Sequence, residues 1–254
     1  MKKLICVMVI AVLAIIGYAV KERLDVTQVS FTNTSNVADQ KINKEAYHKN
    51  GIDASYPQFV ILGEDDPAKQ WNQIMYDDFQ KILQIYSLPP IPGPTPSMGE
   101  EPTVLHIDYE VKLNNEHFIS ILYRAVFRSP YAAHPTELVY TTNIDKEKSE
   151  RVRLPDIIQI TPDFPTSFRH WKLVRREDTM IDLNPLIIEY VNEIKNEDLL
   201  RGFQDADRIE SGNSYGIYSY LTPYGVGISI SLPNFLGDHA EFEQEYSEVE
   251  GLLR

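Results

Sequence analysis

The densest apolar run in the chain comes first. Lys2 and Lys3 are followed by unbroken apolar residues from Leu4 to Ile16, then Gly17-Tyr18-Ala19. A basic start, a dozen apolar residues and two small residues flanking one other are the layout of a secretory signal. A bilayer span needs about 20 apolar residues. No acid occurs before Glu22, so an uncleaved anchor also fits, as does a cytosolic chain with a greasy start. The first two readings place everything after residue 19 outside the cytoplasm. Residues 20–50 reverse the pattern: they are rich in Asn, Thr, Lys and Gln, too polar to build a core, and read as a tether leading into an edge strand.

Beyond the tether the periodicity alternates between strand and helix. Tyr56 to Leu62 is a short strand pattern. Asp65-Asp66-Pro67 is a helix start, with acids at the positive end and proline in the first turn. Trp71, Ile74, Met75, Phe79, Ile82, Leu83 and Tyr86 then recur at helical spacing and predict a helix over 67–86. The proline-dense stretch 89–102 excludes helix and central strand and reads as an extended connector. Val104 to Leu113 alternates, 114–116 turns, and Phe118 to Phe127 returns, which predicts a hairpin. Thr136 to Ile144 is a further strand. Residues 183–201 read as a second helix. Ile217 to Leu221, Val226 to Leu232 and a segment near Phe242 to Val249 read as strands that complete the sheet.

Strands and helices are segregated, so the expected class is α+β: a largely antiparallel sheet with two main helices packed on it. The implied organisation is a signal or anchor at 1–19, the tether at 20–50, an N-terminal subdomain at 51–103 and an α+β subdomain at 104–254.

Composition narrows the chemistry. The only cysteine, Cys6, lies inside the first apolar run, so the remainder has no disulfide. Removing residues 1–19 removes Lys2 and Lys3 and no acid, leaving 22 basic against 37 acidic residues, a net charge of −15. Binding of nucleic acid by phosphate neutralisation is not expected. An acidic surface keeps the protein soluble, and it also suits a basic protein partner.

No complete catalytic motif stands out. Gly227-Ile228-Ser229-Ile230-Ser231 lacks the second glycine of a nucleophile elbow and reads as a strand. The histidines lack the i, i+4 spacing of a helical metal pair, so no metal or cofactor is expected. His134-Pro-Thr-Glu137 and Asp238-His239 are local His–carboxylate pairs. His134, Asp145 and Asp156 are the candidate polar site, although the strand between His134 and Asp145 would hold them about 35 Å apart if straight. The bland alternative is that His134 fixes a turn and the two aspartates cap loops. Trp171, beside Phe168-Arg169-His170, is a candidate binding anchor or a loop pin. Tyr215, Tyr218, Tyr220 and Tyr224 offer a tyrosine face for glycan or protein, and strand alternation puts Tyr218 and Tyr220 on one side as an exposed pair.

Several passages in order resemble a known family. They are Tyr56-Pro57 with Trp71-Asn72, Asp108 to Val111, Ile119 to Tyr123, Ala133-His134, Asn143 to Asp145 and Leu154 to Ile158. Leu221 to Val226, Leu236 to Ala240 and Tyr246 to Val249 complete the series. This order is similar to a pair of bacterial domains of unknown function that form the extracytoplasmic part of lysozyme-sensing anti-sigma-V factors. A related region precedes the catalytic domain of the peptidoglycan deacetylase PdaC. The resemblance spans about residues 50–252. It departs at Ala132-Ala133-His134, where the family usually has a glycine in the turn. Neither a sigma-holding segment nor a deacetylase domain is recognisable here. The resemblance therefore implies the exported sensory or accessory module alone: a non-enzymatic binder of a basic protein or an envelope glycan, touching the membrane only through its N-terminal segment. The rival expectation is an enzyme or accessory domain acting on envelope polysaccharide through His134.

Overall fold

The computed structural model describes residues 41–49, 51–86, 104–128, 134–174, 182–209 and 216–254, all within one compact unit, Asn36–Arg254. The N-terminal apolar run and the proline-rich connector lie outside the described residues. Among these residues no helix is long and apolar enough to cross a membrane.

The class is α+β, with two sheets where one was expected. The larger has six strands in sequential order: β1 (Ile42–Lys49), β2 (Ile52–Phe59), β3 (Val104–Asn114), β4 (Phe118–Arg128), β5 (Thr136–Asp145) and β6 (Glu150–Val152). All its pairings are antiparallel except β2–β3, which run parallel over Ile52 to Ala54. β1 begins inside the stretch read as tether, and β2 pairs directly with β3. The segments expected as separate subdomains therefore share one sheet.

Helix α1 (Ala68–Tyr86) covers one face of this sheet. Asp66 starts it: its carboxylate accepts the Ala68 N–H at 2.9 Å, and Pro67 occupies the first turn. Ala68, Trp71, Met75, Phe79, Ile82 and Leu83 fall on one side and pack on Leu105, Ile107, Ile119, Ile121, Tyr123, Ala125, Tyr140 and Ile144. Asn72 interrupts the apolar stripe for a reason. Its amide donates to the Phe59 carbonyl (2.9 Å) and accepts the Phe59 N–H (2.7 Å), closing the end of β2 against the helix.

The smaller sheet has the order β7-β10-β9-β8, with β7 at Lys172–Leu173, β8 at Tyr218–Leu221, β9 at Gly225–Ser231 and β10 at His239–Glu245. One side carries the second core. Val226, Ile228, Ile230, Ala240 and Phe242 meet Leu154 and Ile157 of the short α2 (Leu154–Ile157), Phe164, Phe168 and Trp171 around α3 (Phe164–Phe168), and Ile187, Val191, Leu199 and Phe203 on two further helices. Those two, α4 (Asn184–Glu193) and α5 (Asn196–Gln204), replace the single helix expected at 183–201. Ile194 and Lys195 are extended, and the Ile194 carbonyl left at the break accepts from the Arg169 guanidinium at 2.6 Å. The last strand also sits earlier than expected: it ends at Glu245, and Tyr246–Val249 is a helical turn, α6.

The small sheet lies against the face of the large sheet that α1 does not cover. The order of layers is thus helix, sheet, sheet, helices.

Candidate functional site

Strand alternation sends Ser120, Leu122 and Arg124 of β4, and Glu137, Val139, Thr141 and Asn143 of β5, toward the small sheet. Opposite them stand Ser219 and Tyr220 of β8, and His239, Glu241 and Glu243 of β10. Side chains cap the backbone edge of β8. Ser120 Oγ accepts the Leu221 N–H (2.9 Å) and Asn143 Nδ2 donates to the Ser219 carbonyl (2.9 Å). Buried Asp207 accepts the backbone N–H groups of Ser219 and Leu154 and the hydroxyls of Ser219 and Thr141. Burial pushes the Asp207 carboxyl up, its four donors oppose this, and it titrates near about 6.

The polar seam opens into a cavity of about 420 Å³. Its charged floor is built from four strands. Arg124 Nη2 donates to Glu241 Oε1 at 2.7 Å, and Nη1 lies 3.2 Å from His239 Nε2 and 3.7 Å from Glu137 Oε1. His239 is 1% exposed, with Nε2 at 3.5 Å from Glu241 and 4.0 Å from Glu137. Burial pushes the Glu241 carboxyl up, but its contacts with His239 and Arg124 outweigh that and hold it down at about 2. Lys112 completes the floor, 3.3 Å from Glu110 and 4.7 Å above the Tyr220 ring. The opposite wall is apolar: Leu173, Val174, Leu183, Ile187 and Leu236. Such a cavity suits a ligand with a charged group and an apolar body.

Local backbone geometry aims the floor. In Leu236-Gly237-Asp238, Gly237 and Asp238 are left-handed, with φ of 94° and 68°. Asp238 is tied into that shape, accepting from Asn234 Nδ2 (2.8 Å) and from the Glu137 N–H (2.9 Å). This turn delivers His239 to Glu137. The two local His–carboxylate pairs thus contribute one member each to a single cluster.

The residues singled out from sequence do not converge. His134 is exposed just before β5, and Asp145 ends that strand. Asp145 accepts the Lys148 N–H at 3.0 Å and pairs with Lys148 Nζ at 3.0 Å, and Asp156 accepts the Arg153 N–H at 2.9 Å. Trp171 takes the second of its two readings: at 5% exposure, packed on Phe164 and Phe168, it pins its segment into the second core. Tyr218 and Tyr220 are a correction, since the expected exposed pair is 5% and 0% exposed. Tyr218 meets Tyr140 edge-on and donates its hydroxyl to the Arg208 carbonyl, while Tyr220 packs on Leu122 and Val139 and donates to Glu243 at 2.9 Å. Gly227 makes room for the Tyr220 ring: a Cβ there would lie 2.1 Å from it.

Arg124, Glu241 and Lys112 had no motif to mark them. The one available signal was alternation in Asp238-His239-Ala240-Glu241, which puts His239 and Glu241 on one face. Among the described residues no group of three His, Cys, Asp or Glu is placed to hold a metal ion.

Comparison with solved structures finds the same fold. A crystal structure of a DUF3298 family protein from Pseudomonas aeruginosa matches with a TM-score of 0.50 and 13% identity, covering 85% of this chain and 94% of that one. A DUF3298 family structure from Bacteroides fragilis matches with a TM-score of 0.45 and 12% identity, over 85% and 92%. No family model and no curated protein matches. At 13% identity the first match establishes the fold, that of a bacterial domain of unknown function.

Proposed function

We propose that this chain is an exported or membrane-anchored module of the bacterial cell envelope, with a sensory role, that binds a protein or glycan without transforming it. The cleft between the sheets is its binding site, and a basic protein is the partner its charge favours. The observation that carries this reading is the floor of the cavity. Arg124 and His239 hold Glu241 ionised on the floor of a site that also presents Glu137 and an apolar wall. Fixed carboxylates beside apolar surface suit a Lys or Arg side chain, which brings both a charge and an apolar stem. The net charge of −15 beyond residue 19 would steer such a partner toward the surface. The bacterial DUF3298 fold and the signal-like N-terminus support the envelope setting.

Titrating the exported protein with lysozyme, a strongly basic envelope-active protein, tests the reading. Saturable binding at low salt that weakens as salt shortens the electrostatic reach to about 8 Å is expected. Glu241→Gln should weaken it further. Binding indifferent to both changes would remove the cleft from the interface. N-terminal sequencing of the cell-associated protein tests the export half: a start near Val20 marks cleavage, and Met1 in the membrane fraction marks an anchor. Full-length protein confined to the cytosol would defeat it.

A further inference from the structure

Four strands stand at the ends of the two sheets, and three of those edges are closed. β6 is three residues long and β7 two. The edge of β8 is capped by Ser120 and Asn143. β1 differs. It runs for eight residues, Ile42–Lys49, at the end of the six-stranded sheet, and no strand lies beyond it among the described residues. An open edge of that length is a template for another chain.

The hairpin geometry says which backbone groups are on offer. Lys49 stands opposite Ile52, so the β1–β2 hairpin is tight, and Gly51 is left-handed at a φ of 76°. Val60 N donates to the Lys41 carbonyl at 2.9 Å, so residues 41 and 60 are a bonded pair. Bonded and unbonded pairs alternate along an antiparallel ladder. Residues 43, 45, 47 and 49 therefore bond to β2, and Ile42, Lys44, Ala46 and His48 turn their N–H and C=O groups outward. Pro57 fits this phase: it has no N–H to give and stands opposite Lys44, at an unbonded position.

Charged side chains usually guard such an edge. Here two of them are drawn inward over the sheet. Lys44 Nζ reaches past β2 to Asp108 (2.9 Å), and His48 Nδ1 meets Asp53 on β2 (2.9 Å). The opposite face of β1 carries Glu45, Tyr47 and Lys49. Tyr47 lies edge-on to Phe79 of α1, with ring centroids 6.0 Å apart. Neither Glu45 nor Lys49 has an ion-pair partner among the described residues.

We propose that β1 pairs antiparallel with β1 of a second copy of this chain, about a two-fold axis at Tyr47, joining two six-stranded sheets into one. Charge selects this axis. An axis at residue 45 opposes Glu45 to itself. An axis at 46 opposes Lys44 to His48 and leaves Glu45 against Tyr47. An axis at 47 opposes Glu45 to Lys49 twice and stacks Tyr47 beside its own copy, while Ala46 and His48 exchange backbone bonds in both directions. One strand thus supplies both halves of the match, which favours a second copy over an unrelated extended peptide. The pairing uses none of the cleft residues and stands independently of the binding reading.

The test places single cysteines, Glu45→Cys, Ala46→Cys and Tyr47→Cys, in the full chain carrying Cys6→Ser, with Gln73→Cys on the exposed side of α1 as control. Each axis sets one position opposite its own copy, at a Cα separation of about 4.5 Å for an unbonded pair, so the disulfide formed on mild oxidation reports the axis. Tyr47→Cys is expected to dimerise fastest, at least about tenfold faster than Gln73→Cys. In sedimentation, the unmodified chain should form a concentration-dependent dimer that Lys49→Glu weakens and Glu45→Lys with Lys49→Glu restores. Ala46→Pro removes an outward N–H and no bond to β2, so it should abolish the dimer and keep the denaturation midpoint. Cross-linking at 47 no faster than at 73, or no self-association up to millimolar concentration, would overturn the proposal. Fastest cross-linking at 45 or 46 would overturn the axis. Should Ala46→Pro fail to fold, the charge swap decides: a double variant no more dimeric than Lys49→Glu alone sinks the pairing.

Discussion

The two faces of the six-stranded sheet are both covered, yet different forces hold what covers them. Toward α1 the sheet presents Leu105, Ile107, Ile121, Tyr123 and Ile144, and the contact is mainly apolar burial, pinned by Asn72 at Phe59 and by Asp78, which accepts from Thr142 (2.8 Å) and Arg151 (2.6 Å). Toward the small sheet it presents Ser120, Arg124, Glu137, Thr141 and Asn143, and the contact is a set of matched hydrogen bonds to the edge of β8 and the floor of the cleft. The polar seam supplies registry, because a slip of one residue would leave each of these donors and acceptors unpaired. An alternating strand is usually read as half wet; here its polar side is buried as well.

The largest test of this contrast is Phe79→Ala. Phe79 is fully buried and stacks on Tyr56 at 4.5 Å, so truncation should cost about 3–5 kcal/mol in chemical denaturation. In the seam, Asp207→Ala strands two backbone N–H groups and two hydroxyls and should cost about 2–4 kcal/mol, enough to place seam and core in the same range. A loss below about 1 kcal/mol would mean the seam is relaxed and the contrast overstated.

Smaller effects separate the two seam acids by pH. Asp207 titrates near about 6 in the folded chain against its ordinary 3.8, so the native state holds the proton more tightly. Stability from this group is present below pH 3.8 and is lost as pH rises through about 6. Glu241 has the opposite sign. Its folded value of about 2 lies below its ordinary 4.5, so its contribution is present above pH 4.5 and is lost as pH falls toward about 2. Denaturation midpoints measured across pH 2–7 should lose the first slope in Asp207→Asn and the second in Glu241→Gln. The smallest expected effect is Tyr218→Phe, which removes the hydroxyl bond to the Arg208 carbonyl and should cost about 1 kcal/mol. A larger loss would show that the edge of β8 depends on that bond for its position.

The sequence was most legible where one period dominates. Helix 67–86 and the hairpin 104–128 carry long, clean patterns and are found within a residue or two of their expected ends. Alternation places Ser120, Arg124 and Asn143 on one side of their strands. It could not say that a second sheet covers that side, because polar residues facing water and polar residues facing a matched partner spell the same pattern. β8 and β9 are buried on both faces, so Tyr218 and Tyr220 gave no outward sign of being core. The candidate site was hidden for a related reason. Arg124 finds His239 across 115 residues of chain, a meeting that no local spacing encodes.

The short parallel junction between β2 and β3 has a consequence for how the chain assembles. Hairpins such as β3–β4 close locally, on the order of microseconds. The β2–β3 pairing joins only Ile52 to Ala54 with Leu105 to Ile107, and it must close a loop of about 50 residues first. Synthesis runs in the other order: β1, β2 and α1 are made before the strands that receive them. Until residues 104–128 arrive, the stripe from Trp71 to Leu83 has no sheet to lie on. The nascent chain is therefore most open to misassembly at the helix whose amino-acid pattern is easiest to read.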